Sequence, residues 1–219
     1  MTAEPSPMSH RDVLEAMSGL LLGMFVAILS STVVSAALPR IISDLGGGQS
    51  SFTWVVTATL LALTVSTPVW GKLADLVDRK LLVQLALVIY TVGSIFAGLS
   101  QSTGWLIACR VLQGLGAGGM TALVQVVLSD LVSPRDRGRY MGLLGAVMAV
   151  GTVAGPLLGG VITDGIGWRW CFYVGVPIAM AAIVVLQRTL HLPARPRRDV
   201  SIDVPGILLI SAGVSLLLV

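Results

Sequence analysis

One charged residue stands where charge is hard to keep. Arg110 lies inside a long apolar run, 105–128, and Gln113 follows three residues on, nearly on the same helical face. A guanidinium stays protonated and presents its donors in a planar fork. Inside a membrane it needs a polar cavity, a partner or a route to the surface. The chemistry open to this pair is proton relay or the holding of a polar group, not bond-making. Signals for other chemistry fail. His10 and His191 stand in polar flanks without ligand partners, and Cys109 and Cys171 show neither metal nor redox spacing. No nucleophile stands beside a base, and no paired carboxylates occupy an apolar run. The stretch GLGAGG at 114–119 fits G-x-G-x-x-G. That fingerprint binds a dinucleotide only where it follows a strand and opens a helix, and here it lies within an apolar run. The residues indicate neither an enzyme, a metal site nor an organic cofactor.

Two further groups stand out. GKLADLVDRK, 71–80, crowds Lys72, Asp75, Asp78, Arg79 and Lys80 between apolar runs. In GTVAGPLLGG, 151–160, Gly151, Gly155 and Gly159 recur every four residues and leave one helix face bare, so another helix can pack backbone to backbone. Gly114 and Gly118 repeat the pattern in the run that holds Arg110. Pro156 removes a backbone donor and invites a bend.

The elements that must position these residues follow from composition. Of 219 residues, 55% are hydrophobic and 11% charged, and the mean hydropathy is +0.90. A soluble domain carries about a quarter charged residues, and a chain of this size has too little interior to hide such surface. The net charge of +3 comes without a basic tract, which excludes nucleic acid as a partner. The lipid bilayer is the expected surroundings. A spanning helix needs about 20 mostly apolar residues. The segments 17–38, 53–70, 81–99, 105–128, 140–162 and 170–189 qualify. Residues 1–16 form a short flank, negative in balance and unlike a signal peptide. A connector, 190–203, leads to an apolar run, 204–219, that is short for a span and reads as the start of an unfinished one.

Basic loop residues orient the chain. Arg11, Lys72, Arg79, Lys80, Arg135, Arg137, Arg139, Arg188, Arg195, Arg197 and Arg198 fall on one side, and Arg40 and Arg169 on the other. The first side, with the N-terminus and the 71–80 loop, is therefore expected in the cytoplasm. Trp54, Trp70, Trp105, Trp168 and Trp170 all fall near segment ends, where interfacial aromatics belong.

With these motifs in place, the chain resembles the major facilitator superfamily. Gly71, Leu73, Ala74, Asp75, Arg79 and Lys80 match that family's loop between the second and third spans, G-x-L-A-D-R-x-G-R-K, while Leu76 and Asp78 depart from it. RVLQGLGAGG (110–119) resembles the fourth-span motif of proton-coupled members. GAVMAVGTVAGPLLGG (145–160), with Gly145, Gly151, Gly155, Pro156, Gly159 and Gly160, resembles the fifth-span motif of antiporters. LSSTVVSAALPRI (29–41) and the short 190–203 connector resemble the fourteen-spanner drug:proton antiporter branch.

The resemblance implies an all-α membrane fold. Six spans form one bundle of two inverted three-helix repeats, followed by part of a seventh span and requiring a second, C-terminal half. It implies proton-coupled export of small amphipathic compounds across a cell membrane, such as a bacterial inner membrane, driven by the proton gradient. Arg110 and Gln113 would lie near the proton path, and Ser30, Ser31, Thr32 and Ser35 would line the cavity. Gly71, Asp75, Arg79 and Lys80 would form a cytoplasmic latch, with Arg79 paired to Asp75. Drug-exporting relatives often carry a carboxylate at the position of Ser30, and its absence implies a substrate that is not strongly cationic or an acid supplied by the other half. A metabolite uniporter or symporter of the same superfamily, or a non-transporting half-protein, are the alternatives.

Overall fold

The computed structural model describes residues 10–190 together with Gly206, Leu209 and Gly213. The expectations for residues 1–9, for the connector beyond Leu190 and for the 204–219 run fall outside the described residues, the three just named excepted. The described chain is helical: α1 (His10–Asp44), α2 (Gln49–Leu76), α3 (Arg79–Gly98), α4 (Thr103–Leu131), α5 (Arg137–Gly165), α6 (Trp170–Tyr173) and α7 (Gly175–Thr189). Among the described residues, six helices are long and apolar enough to cross a membrane, α6 and α7 together forming the sixth. The all-α membrane architecture read from the sequence is the one observed.

Local sequence explains where the helices begin, end and break. The Asp78 carboxylate accepts from the Leu81 amide at 3.1 Å and caps α3, and the Ser102 hydroxyl accepts from the Trp105 amide at 3.3 Å and caps α4. Each satisfies one of the amide donors left over in a first helical turn. Gly46 and Gly167 take positive φ, 67° and 101°, in the turns after α1 and α5, where a Cβ would be strained. Pro177 has no N–H to donate back toward Tyr173, and the sixth span is interrupted nearby, at Val174. Pro39, Pro68 and Pro156 lie inside continuous helices, which membrane helices tolerate because neighbours support the freed carbonyls.

Packing obeys an internal exchange. The broadest contacts are α2 with α4, α3 with α4, α1 with α5, and α1 with α7. Exchanging the first three spans for the last three turns the α1–α5 pair into α4–α2, and the α3–α4 pair into the sixth span with α1. This is the contact pattern of two inverted three-helix repeats. The sequence carries a trace of it that the motif reading missed. Ser43-Asp44-Leu45 ends α1, and Ser129-Asp130-Leu131 ends α4.

The buried residues fall into two clusters. One, toward the face that carries the 71–80 loop, includes Met17, Leu20, Leu87, Met120, Leu123 and Leu186. The other, toward the far face, includes Leu38, Ile41, Leu106, Cys171 and Phe172. Buried polar residues Ser30, Ser94, Arg110 and Gln113 lie where the two clusters meet. α2 and α5 are the least buried spans. Leu157 and Val161 of α5 are 68% and 74% exposed, surface that suits lipid or another bundle rather than water. The tryptophans divide. Trp54, Trp105 and Trp170 are exposed near the far face, as interfacial rings should be, but Trp70 and Trp168 are buried. Trp70 donates its indole N–H to the Leu115 carbonyl at 2.9 Å and works as a packing residue.

Candidate functional site

The site begins with Arg110 on α4. Its side chain is 3% exposed. Nη1 donates to the Gln113 side-chain oxygen at 3.1 Å, and the Gln113 amide nitrogen donates to the Ser94 hydroxyl of α3 at 2.7 Å. The relay is local in sequence at one end and crosses helices at the other, so it fixes the rotamers of both long side chains. Gly93 allows that crossing: a Cβ there would stand 3.0 Å from the Gln113 backbone nitrogen and 3.0 Å from its Cγ. Arg110 Nε is buried without a hydrogen-bond partner. An unmet charged donor in a low-dielectric site is costly. At 3% exposure the guanidinium nevertheless stays inside the described bundle and does not reach its surface.

Arg110 and Gln113 face a cleft of about 270 Å³ enclosed by α1, α2, α3, α4 and α5. Met24, Ala27, Ile28, Leu63, Met120 and Met148 give it an apolar lining, and Ser31, Thr32, Thr59, Tyr90 and Thr121 give it hydroxyls. Tyr90 was not legible as a site residue. Its hydroxyl donates to the Ala27 carbonyl at 3.4 Å, and its neighbours include Arg110, Ser30 and Ser94.

The structure divides the four α1 hydroxyl residues. Ser31 and Thr32 border the cleft. Ser30 does not; it is 1% exposed and faces Gly175 of α7, where no Cβ would fit. Ser35 is exposed outside the cleft lining and donates to the Ser31 carbonyl at 2.8 Å. The expectation for both is corrected: Ser30 is turned by about 100° from Ser31 toward Gly175, whereas Ser35 shares the face of Ser31 but lies one helical turn beyond the cleft lining.

The glycine face of α5 lies on α1. A Cβ at Gly151 would meet Ile28 at 3.0 Å, one at Gly159 would meet the Val33 carbonyl at 2.6 Å, and one at Gly155 would overlap Thr32. Thr32 also donates to the Gly151 carbonyl at 3.0 Å, so a cleft residue clasps the glycine seam. Gly145, Pro156 and Gly160 lie on exposed parts of α5, and a Cβ at either glycine would meet nothing within 4 Å. On α4, Gly114 and Gly118 pack on α2, Gly116 on α3, and Gly119 between Ala86 of α3 and Trp70 of α2.

The 71–80 loop differs from the expected arrangement in three ways. Arg79 forms its ion pair with Asp130 at the end of α4, not with Asp75. Its Nε donates to the Ala74 carbonyl at 3.1 Å. Asp75, in the last turn of α2, is exposed and turned away from the bundle. Gly71 has nothing within 4 Å of its missing Cβ, so no close approach occurs there among the described residues. Asp78 has φ of −57°, which any residue adopts, and its carboxylate supplies the α3 cap in place of the family glycine. Lys80 ties α3 to the sixth span, its Nζ donating to the Gln187 carbonyl at 2.8 Å.

A counterpart of this clamp closes the far face. Asp44, the exchange partner of Asp130, accepts from the Trp168 indole N–H at 3.0 Å. Arg169 donates to the Ser100 carbonyl at 2.9 Å and lies over the Trp168 ring, 4.4 Å from its centroid. In each repeat the loop between its second and third spans thus grips the last turn of a span in the other repeat, by an ion pair on one face and an indole N–H on the other.

Comparison with known proteins follows from this geometry. The family model described as Major Facilitator Superfamily matches residues 20–217. The chain is 40% identical over 201 residues to the Acurin A biosynthesis cluster MFS-type transporter of Aspergillus aculeatus, covering 89% of this chain and 36% of that one. It is 36% identical over 201 residues to the multidrug transporter protein MdtP of Bacillus subtilis, covering 92% of this chain and 37% of that one. It is 43% identical over 160 residues to efflux pump dotC of Dothistroma septosporum, covering 73% of this chain and 27% of that one. The chain thus spans about a third of the length of such relatives. Among solved structures, the human organic anion transporter MFSD10 superposes with a TM-score of 0.76 at 16% identity, over 93% of this chain and 54% of that chain. At that identity the likeness concerns the fold.

Proposed function

The chain belongs to the major facilitator superfamily, and from that premise we propose that it forms one six-span half of a proton-coupled exporter of small amphipathic compounds. The observation that carries this reading is the buried Arg110–Gln113–Ser94 relay facing a mostly apolar cleft. The apolar lining accepts a greasy molecule, and the relay offers the polar route a proton needs. Relatives named as a multidrug transporter and as an efflux pump support export.

Transport in such folds works by alternating access: one bundle rocks against the other about a site near the midplane. In this reading the exposed α2 and α5 surfaces meet the second half, and the α1–α5 glycine seam lets the helices slide. The basic face is cytoplasmic, by the loop bias of Lys and Arg, and the protein resides in a cell membrane, its short 190–203 connector suiting the fourteen-spanner branch. Asp75, exposed at the end of α2, is the free member of the latch and docks on the second half in the outward-open state. Arg79 with Asp130 holds the loop in place for it.

The test uses the natural gene product in proteoliposomes. An imposed pH gradient should drive saturable export of a lipophilic dye, and Arg110→Ala should abolish the gradient dependence. Flux that ignores the gradient would favour a uniporter instead.

A further inference from the structure

We propose that the cleft binds the acidic group of an amphipathic substrate, and that Arg110 is the residue that takes it. The inference rests on the transporter reading and names the substrate class of the same site.

The cleft is charged in one sense only. Its lining holds the Arg110 guanidinium and no carboxylate. Asp44 and Asp130 stand in the end turns of α1 and α4, outside the cleft lining. Arg79, Arg40 and Arg169 each meet an acid or a carbonyl: Arg79 pairs with Asp130, Arg40 lies 3.4 Å from Asp44, and Arg169 reaches Ser100. Arg110 donates to the neutral oxygen of Gln113 through Nη1, has the Tyr90 phenol as a neighbour, and leaves Nε buried without a hydrogen-bond partner. A buried guanidinium without a counter-charge is strongly unfavourable. The geometry points to its complement. Nε lies on the edge of the planar fork that can hold both oxygens of a carboxylate in parallel bonds. The Gln113 bond holds the guanidinium in one orientation, so that edge is fixed before a ligand arrives.

The rest of the lining suits the remainder of such a molecule. Met24, Met120 and Met148 are soft and adaptable, and accept apolar bodies of varied outline. A one-ring aromatic or short-chain acid fits: its carboxylate on Arg110 and its apolar end among the methionines.

The experiment titrates three molecules of one shape, phenylbutyrate, phenylbutanamide and phenylbutylamine, into the purified natural gene product at neutral pH. Affinities are read by microscale thermophoresis. The acid should bind about tenfold or more tightly than the amide, the scale of one added charge-assisted hydrogen bond. Arg110→Lys keeps the charge but loses the fork, and should shrink the preference. Arg110→Gln should make acid and amide equal, with amide binding retained as proof that the cleft still forms. Equal binding of acid and amide by the wild type, preference for the amine, no binding of any of the three, or a preference that survives Arg110→Gln would each overturn the assignment. Loss of gradient-driven flux with the acid preference intact would sink the export reading and leave this one standing.

Discussion

At the scale of single residues, the decisive features are charges placed where solvent is scarce. Arg79 and Asp130 are both largely buried, their side chains 14% and 10% exposed. Asp130→Asn should lower thermal stability by about 3 kcal/mol, because it strands a buried guanidinium. Adding Arg79→Gln should restore part of the loss, since removing both charges leaves neither unpaired. Melting of the purified protein in detergent measures both, and full additivity of the two variants would show that the pair is not coupled. Arg110 was legible in the sequence because a lone charge in an apolar run has no ordinary explanation. Asp130 was not, since an acid near a helix end looks like solvated surface until the opposing loop is seen. The split between Ser30 and Ser31 was equally hidden. Adjacent hydroxyls look alike in sequence, yet one faces Gly175 and the other borders the cleft.

At the scale of the helices, apolar length settled most of the architecture, since a spanning segment must satisfy its own backbone. The glycine spacing of α5 correctly marked a packing face, but the spacing alone could not name α1 as its partner. Gly155→Ala should drive α1 and α5 apart at Thr32 and cost about 1–3 kcal/mol, the usual penalty for overpacking. Gly160→Ala, with open space around it, should be nearly neutral. Paired melting curves check the contrast, and equal effects would contradict the seam. The far-face clamp gives a second test. Trp168→Phe keeps an aromatic ring but removes the N–H held by Asp44 together with one ring of the buried indole. It should cost about 2 kcal/mol or more and speed hydrogen exchange in the 166–170 turn, while exchange in the 77–79 turn stays unchanged. The likeness of the two clamps was readable only once the helix pairing was known, because a three-residue repeat such as Ser-Asp-Leu is too short to stand on its own.

At the scale of the whole molecule, the proposed function makes the described bundle one wall of a transport path. Its least buried spans, α2 and α5, lie on either side of the cleft. Asp75→Asn should leave membrane insertion intact, because the loop cations that set topology remain, yet shift the transporter toward its inward-open state and lower flux. Labelling of single cysteines from either side of the membrane reads that shift, and unchanged labelling would remove Asp75 from the latch. The central claim is exchange of protons for substrate. The most direct measurement places the natural gene product in liposomes loaded with a pH-sensitive dye, with no gradient imposed, and adds a substrate gradient. Substrate moving one way should drive protons the other way, and Arg110→Ala should uncouple them. Substrate movement by the wild type without any proton movement would contradict the account.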